Sequence, residues 1–233
     1  AKGLVVSPGF IDIHSHSDTN ILRDGLAQSK IRQGVTTEIL GEGGSAAPSS
    51  GARTPRSLEI DGQIRRWSTF TEYFDLVDEQ TTSVNIASYV GLSTVWQCVM
   101  GNSFARPNET QFVEMERLIA TAMRDGALGL SSQVMMPPGS LTTTDDLVRL
   151  AKVVAPYGGL YSTHIRNEGL GVFSSVNEAI AVGERAGIPV DIIHIKIADE
   201  SNWGRMDEVV QLIEDARIRG VDVQANVYPY TRG

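Results

Sequence analysis

One rhythm constrains this chain more than any other feature. A short apolar or β-branched run is followed by an amphipathic stretch that ends at a glycine, and the unit recurs to the end. The expected strands are Val5–Ile13, Val35–Leu40, Val84–Val90, Ala127–Leu130, Gly159–Thr163, Val190–Ile193 and Val221–Val227. The expected helices between them are Ile21–Gln33, Thr69–Glu79, Glu109–Arg124, Asp145–Ala155, Val172–Ala186 and Met206–Arg219. Gly34, Gly126, Gly187 and Gly220 sit where helix C-termini need a left-handed residue. Strands alternating with helices imply a parallel sheet covered by helices. Residues 45–66, rich in Ser, Ala, Pro, Gly and Arg, read as one long loop.

Two architectures carry that order, a doubly wound sheet and a (β/α)8 barrel. The first turn lacks a G-x-G-x-x-G fingerprint and no Walker motif occurs, which lowers the nucleotide-binding reading. The fold class expected is therefore α/β, a (β/α)8 TIM barrel that is incomplete, with about seven of its eight strands. Across 233 residues the net charge is −8, which argues against a protein that tracks nucleic-acid phosphates. No apolar run reaches the ~20 residues of a membrane span. A single cysteine, Cys98, excludes an internal disulfide and favours a reducing, cytoplasmic setting. Nothing in the sequence reads out an oligomeric state.

Only four histidines occur, and their positions point to chemistry. His14 and His16 form a His-x-His at the end of the first strand, where residues i and i+2 face the same side. His164 ends the fifth strand and His194 the sixth. All four thus fall at the C-terminal edge of parallel strands, which in barrels is the active-site face. A lone histidine at a strand end is usually a structural hydrogen-bonding residue, but four of four at one edge read as a metal site. Imidazoles with carboxylates suit Zn2+ and, less exclusively, other divalent transition metals.

The segment Pro8-Gly-Phe-Ile-Asp-Ile-His-Ser-His16 resembles the first-strand signature of the amidohydrolase superfamily. Gly34-Val-Thr-Thr-Glu38, Gly126-Ala-Leu-Gly-Leu-Ser131, Thr163-His-Ile-Arg-Asn-Glu168, Asn202-Trp-Gly204 and Tyr228-Pro-Tyr230 narrow the resemblance to its N-acyl-D-amino-acid deacylase branch. The resemblance implies a metal-dependent hydrolase of the metal-binding TIM-barrel type. It would cleave the amide of a small N-acyl-D-amino acid to a carboxylate and a free D-amino acid. It implies one or two Zn2+ ions on His14, His16, His164 and His194. It also implies a flanking β-sandwich, with residues 1–7 leading in from it and residues 8–233 forming the partial barrel. The catalytic aspartate it implies lies on strand eight, outside this chain, so no catalytic residue is assigned.

Two departures from the branch stand out. Where relatives carry Asn-Cys-Gly, with the cysteine a metal ligand, this chain has Glu42-Gly43-Gly44. Glu42 is expected to reach the metal site, directly or through a bond to a ligand. Where the branch shows Gly-His-x-x-x-Arg, the chain has Gly91-Leu-Ser-Thr-Val-Trp96. Lys196, two residues past His194, and Tyr228 would hold the substrate carboxylate, as an ammonium and a phenol can. Arg166, Asn167 and Glu168 are expected to orient His164. Met135-Met136-Pro137-Pro138 is a candidate apolar wall. Two other readings fit the same residues: a cyclic-amide hydrolase of the dihydroorotase or hydantoinase type, and a barrel without catalysis.

Overall fold

The computed structural model describes residues 2–230; Ala1 and residues 231–233, the outer ends of the two expected domain ranges, lie outside them. Strand β1 is Phe10–Asp12, β2 Val35–Leu40, β3 Arg56–Ile60, β4 Gln63–Trp67, β5 Asn85–Ser88 and β6 Val90–Gly91. After them come β7 Gly129–Gln133, β8 Leu160–His164, β9 Val190–Ile192 and β10 Val223–Ala225. The helices are α1 Gln28–Ile31, α2 Phe70–Gln80, α3 Leu92–Met100, α4 Glu109–Arg124, α5 Thr144–Lys152, α6 Val172–Ala186 and α7 Met206–Ile218.

All pairings except that of β3 with β4 are parallel, in the orders β1-β2-β5 and β6-β7-β8-β9-β10. β5 and β6 are one strand bent at Tyr89. Tyr89 N–H donates to the Leu40 carbonyl at 2.9 Å, and Leu128 N–H donates to the Ser88 carbonyl at 2.8 Å, so the two sheets join. The result, among the described residues, is seven barrel strands in chain order, a partial (β/α)8 barrel. Alternation along the strands assigns the two faces. On β8, Tyr161 and Thr163 face outward, bonded to Ser132 of β7, while Leu160 faces a cavity of about 270 Å³ inside the ring. Ile11, Ile39, Asp191 and Gln224 line the same cavity.

The helices form because each has an apolar stripe and a start signal. Thr69 with Glu72, Asn108 with Gln111 and Thr143 with Asp146 form reciprocal capping boxes at the starts of α2, α4 and α5. The stripe of α4 buries Phe112, Met115, Leu118, Ile119, Ala122 and Met123.

Two expectations are corrected. The helix over Ile21–Gln33 is only α1; Asp24 Oδ1 accepts from Leu26 N–H at 3.1 Å, and this local turn with Gly25 competes with the helix. The long loop at 45–66 contains the antiparallel β3–β4 hairpin. Its turn is Asp61-Gly62 with φ of 50° and 76°, the geometry an Asp-Gly hairpin prefers. An element that was not expected also appears: Gly91 caps α3, whose Leu92, Val95 and Trp96 are buried.

Candidate metal centre

β1 ends at Asp12, so His14 and His16 lie beyond the strand and their convergence does not come from strand alternation. A polar network shapes the segment instead. Ser15 N–H donates to the Ile39 carbonyl at 3.0 Å. The Ser15 hydroxyl donates to Glu38 Oε2 at 2.6 Å, and the Ser17 hydroxyl binds the same oxygen. Glu38 is buried on β2 and also faces Lys30 Nζ at 3.9 Å. The outcome is that His14 Nε2 and His16 Nε2 approach to 3.0 Å.

From there the imidazoles run in a chain along the rim. Ring centroids of His14 and His194 are 5.3 Å apart, and those of His194 and His164 are 4.3 Å apart. His164 shares the inward face of β8 with Leu160 and Ser162 by the two-residue period. His194 follows β9 in a left-handed conformation, with φ of 39°.

Two buried carboxylates meet this row. Glu42 Oε2 lies 3.8 Å from His14 Nε2. Gly41 and Gly43, with φ of 80° and 68°, flank it in a tight turn. A Cβ on Gly41 would sit 2.3 Å from the Tyr89 carbonyl oxygen, so only glycine fits there. Ser131 clamps the turn: its Oγ accepts from Gly43 N–H at 3.0 Å and donates to the Gly41 carbonyl at 2.5 Å. Glu168 Oε1 lies 3.0 Å from His194 Nδ1, 3.6 Å from His164 Nε2 and 2.5 Å from Lys196 Nζ. A proton on His194 Nδ1 satisfies Glu168 and leaves the Nε2 lone pair free, the tautomer a metal ligand needs.

The electrostatics follow from this packing. Burial, then the neighbouring His16 and His194, holds the His14 pKa down to about 4. Burial and His194 do the same to His164, also to about 4. Burial pushes Glu42 up to about 8. Glu168 behaves oppositely: burial works to raise it, but bonds from His194 and Lys196 together hold it below the usual carboxylate range. Two neutral imidazoles with free lone pairs are what a cation site requires.

Among the described residues, His164 Nε2 and Glu42 Oε1 are buried without a hydrogen-bond partner. Buried polar atoms are rarely left so, and a missing ion is one standard reason. One donor atom each from His164, Glu168 and His194 lies within 4.8 Å of the others. The donor set therefore fits a divalent transition metal on His164 and His194, with His14, His16 and Glu42 beside it and Glu168 orienting His194.

The remaining expected residues divide. Lys196 Nζ lies 5.9 Å from the centre of the Tyr228 ring, and Tyr228 stacks on Tyr230 with ring centroids 4.6 Å apart. Lys196 is beside the histidines, although β9 has ended and strand alternation does not put it there. Arg166 turns away from His164. It donates to Glu178 at 2.8 and 2.9 Å and to the Ser140 and Thr142 carbonyls, tying the segment after β7 to α6. That segment presents the partly exposed Met135 and Met136. Asn167 caps the turn below, accepting from Gly169 and Gly171 N–H groups. Sequence reasoning missed Glu38, Ser131 and Asn226. A lone acid inside the β-branched run Val35–Leu40 was the visible signal for Glu38; Ser131 and Asn226 act through neighbours remote in the chain and gave none.

Known proteins resemble the chain in sequence and in fold. A profile of the amidohydrolase family matches residues 1–226. The chain is 36% identical over its whole length to a D-aminoacylase from Alcaligenes xylosoxydans xylosoxydans, covering 48% of that protein. It is 34% identical to an N-acyl-D-glutamate deacylase from the same organism, over 99% of the chain and 48% of the relative. Among solved structures, an N-acyl-D-glutamate deacylase from Bordetella bronchiseptica, complexed with zinc and a phosphonate inhibitor, superposes with a TM-score of 0.86 at 33% identity. That match covers 96% of this chain and 48% of that one. The chain spans about half the length of the relatives it matches. With a rim of four histidines, a parallel partial barrel and a family match over nearly its full length, the chain belongs to the amidohydrolase family.

Proposed function

We propose that this chain is the metal-bearing part of a zinc-dependent hydrolase that cleaves the amide bond of N-acyl-D-amino acids. One observation carries the reading: four imidazoles from three separate strand ends, with buried Glu42 and Glu168, meet at a single rim. The relatives named for D-aminoacylase and D-glutamate deacylase activity support the substrate class. Zinc in the Bordetella deacylase supports the metal. A bound divalent cation supplies the Lewis acidity that polarises an amide carbonyl and makes water nucleophilic at neutral pH.

The chain's own residues set up that chemistry. Burial and the neighbouring His194 hold the His164 pKa down, so its lone pair is available. Glu168 fixes the His194 tautomer and anchors Lys196. An ammonium has three donors. Glu168 takes one and the His194 carbonyl, at 3.2 Å, a second. His194 Nδ1, 3.1 Å from Nζ, carries its own proton in this tautomer and does not accept, so the third is left for an anionic carboxylate, with the Tyr228 phenol beside it. Lys196 and Tyr228 thereby orient the amino-acid end of the substrate and place its amide toward the histidines. The exposed run Leu4 to Val6, with Val5 95% exposed, supports a neighbouring domain against the amino end. The single cysteine supports a cytoplasmic setting. Among the described residues, no helix is long and apolar enough to cross a membrane.

The test is a substrate panel with metal analysis on the purified protein. N-acetyl-D-amino acids should release free D-amino acid, while the L-enantiomers and hydantoins should not. His14→Ala and His164→Ala should lose bound metal and activity together. Full metal content in both variants, or turnover of hydantoins alone, would overturn the assignment.

A further inference from the structure

The backbone at His194 is unusual. β9 stops at Ile192, and two residues later a non-glycine residue stands at φ of 39°. Few such residues adopt this conformation, and those that do are held by their surroundings. Here Ile193 N–H donates to the Thr163 carbonyl and Lys196 Nζ to the His194 carbonyl, and the remaining bonds come from Asn226, just past the end of β10.

Asn226 brackets the turn with every polar group it has. Its N–H donates to the Ile192 carbonyl at 3.1 Å, and its carbonyl accepts from Ile195 N–H at 2.9 Å. Between those two, its Oδ1 accepts from His194 N–H at 2.9 Å. Its Nδ2 donates to both oxygens of Asp191 at 3.1 and 3.2 Å. The Asp191 bonds decide which way the amide points, because only Nδ2 can donate to a carboxylate. With Nδ2 committed, Oδ1 must face His194.

We propose that Asn226 is a positioning residue for the His194 imidazole, acting through the His194 backbone, and that Asp191 is the lock that orients the Asn226 amide. The inference rests on the reading of His194 as a metal-holding residue. The bracket spans residues 192–195 and leaves the imidazole no freedom to follow a relaxed backbone. The ring is thereby delivered to Glu168 on one nitrogen and to the rim on the other. Asparagine is needed because the position demands an acceptor and a donor on one short planar group. Aspartate lacks the donor.

The test compares Asn226→Ala, Asn226→Asp and the double exchange Asp191→Asn with Asn226→Asp. The exchange restores the bond from His194 N–H and one bond between positions 191 and 226 with the roles reversed, since the carboxylate at 226 accepts both from His194 N–H and from the amide at 191. Two readouts are followed. Hydrogen exchange at the His194 amide reports the bracket itself, with or without metal. Zn2+ affinity by chelator competition, with the visible spectrum of the Co2+ form, reports the ligand. Both single variants should lose protection at His194, shift the Co2+ spectrum and bind Zn2+ about 10–100-fold more weakly. The exchange should recover most of each. If Asn226→Ala is too unstable to study, Asn226→Asp against the exchange decides. A wild-type Co2+ spectrum and Zn2+ affinity in a folded Asn226→Ala, or an exchange no better than Asn226→Asp, would overturn the proposal. A wild-type protein that takes up no divalent ion would instead sink the reading of the site, and hydrogen exchange would still judge the bracket.

Discussion

Glu42 keeps its proton where most glutamates have lost it, because the Gly41–Gly43 turn pushes its carboxyl out of water. In the metal-free protein this has a signed consequence. Between the ordinary value of 4.5 and about 8, the unfolded chain has given up the Glu42 proton and the folded chain has not. Rising pH through that window therefore erodes stability. Glu42→Gln should remove this loss, so its melting temperature, measured against wild type in chelator, should gain steadily from pH 5 to pH 8. A constant difference would show that Glu42 is not buried as a neutral acid. His14 and His164 act in the other direction. Their folded values near 4 lie below the ordinary 6.5, so the unfolded chain takes up protons first as pH falls between those limits. Stability is lost over that acid window, and metal affinity should fall with it as protons compete for the same lone pairs.

Residues that carry chemistry by type were the legible ones. The four histidines could be placed at strand ends from sequence, because strand-ending positions follow from local pattern. Glu42, Glu168 and Lys196 were also in view, each lying within a few residues of a strand end. Their neighbours across space were not. Arg166 reads like a partner of His164 in sequence, yet Glu178, on the second turn of α6, offers a bidentate site that a guanidinium prefers.

Among the elements, β7 and the turn after β2 work as a pair. Ser131 is fully buried and supplies both an acceptor and a donor to that turn. Ser131→Ala strands the Gly43 N–H and should cost about 1–3 kcal/mol. It should also loosen Glu42, so that Zn2+ affinity falls along with denaturant stability; a stability loss with unchanged affinity would separate the turn from the site. Helix α4 is an element whose stripe was readable end to end. Ile119 on that stripe is fully buried, and Ile119→Ala should cost about 2–5 kcal/mol by chemical denaturation. The β3–β4 hairpin was missed although Asp61-Gly62 between two alternating runs announces it. The Pro, Ser and Gly content of residues 45–55 hid a short regular element behind an irregular one. Helix α3 was missed for the opposite reason, since its apolar run follows β6 with the single Gly91 at the junction.

For the molecule as a whole, the strand order β1-β2-β5 joined to β6-β7-β8-β9-β10 brings residues 14, 42, 164 and 194 to one rim although they are spread over most of the chain. A ligand shared by so many elements couples the site to global stability. A divalent ion at 100 times its dissociation constant adds about 2.7 kcal/mol by mass action. Chelation should accordingly lower the melting temperature, and His194→Ala should abolish that response. The rim itself gives the most direct test. Crystals grown with Zn2+ and measured at the zinc absorption edge should show an anomalous peak bonded to the His164 and His194 imidazoles, with His14 and His16 within reach. A peak elsewhere, or an empty rim at saturating zinc, would contradict the account.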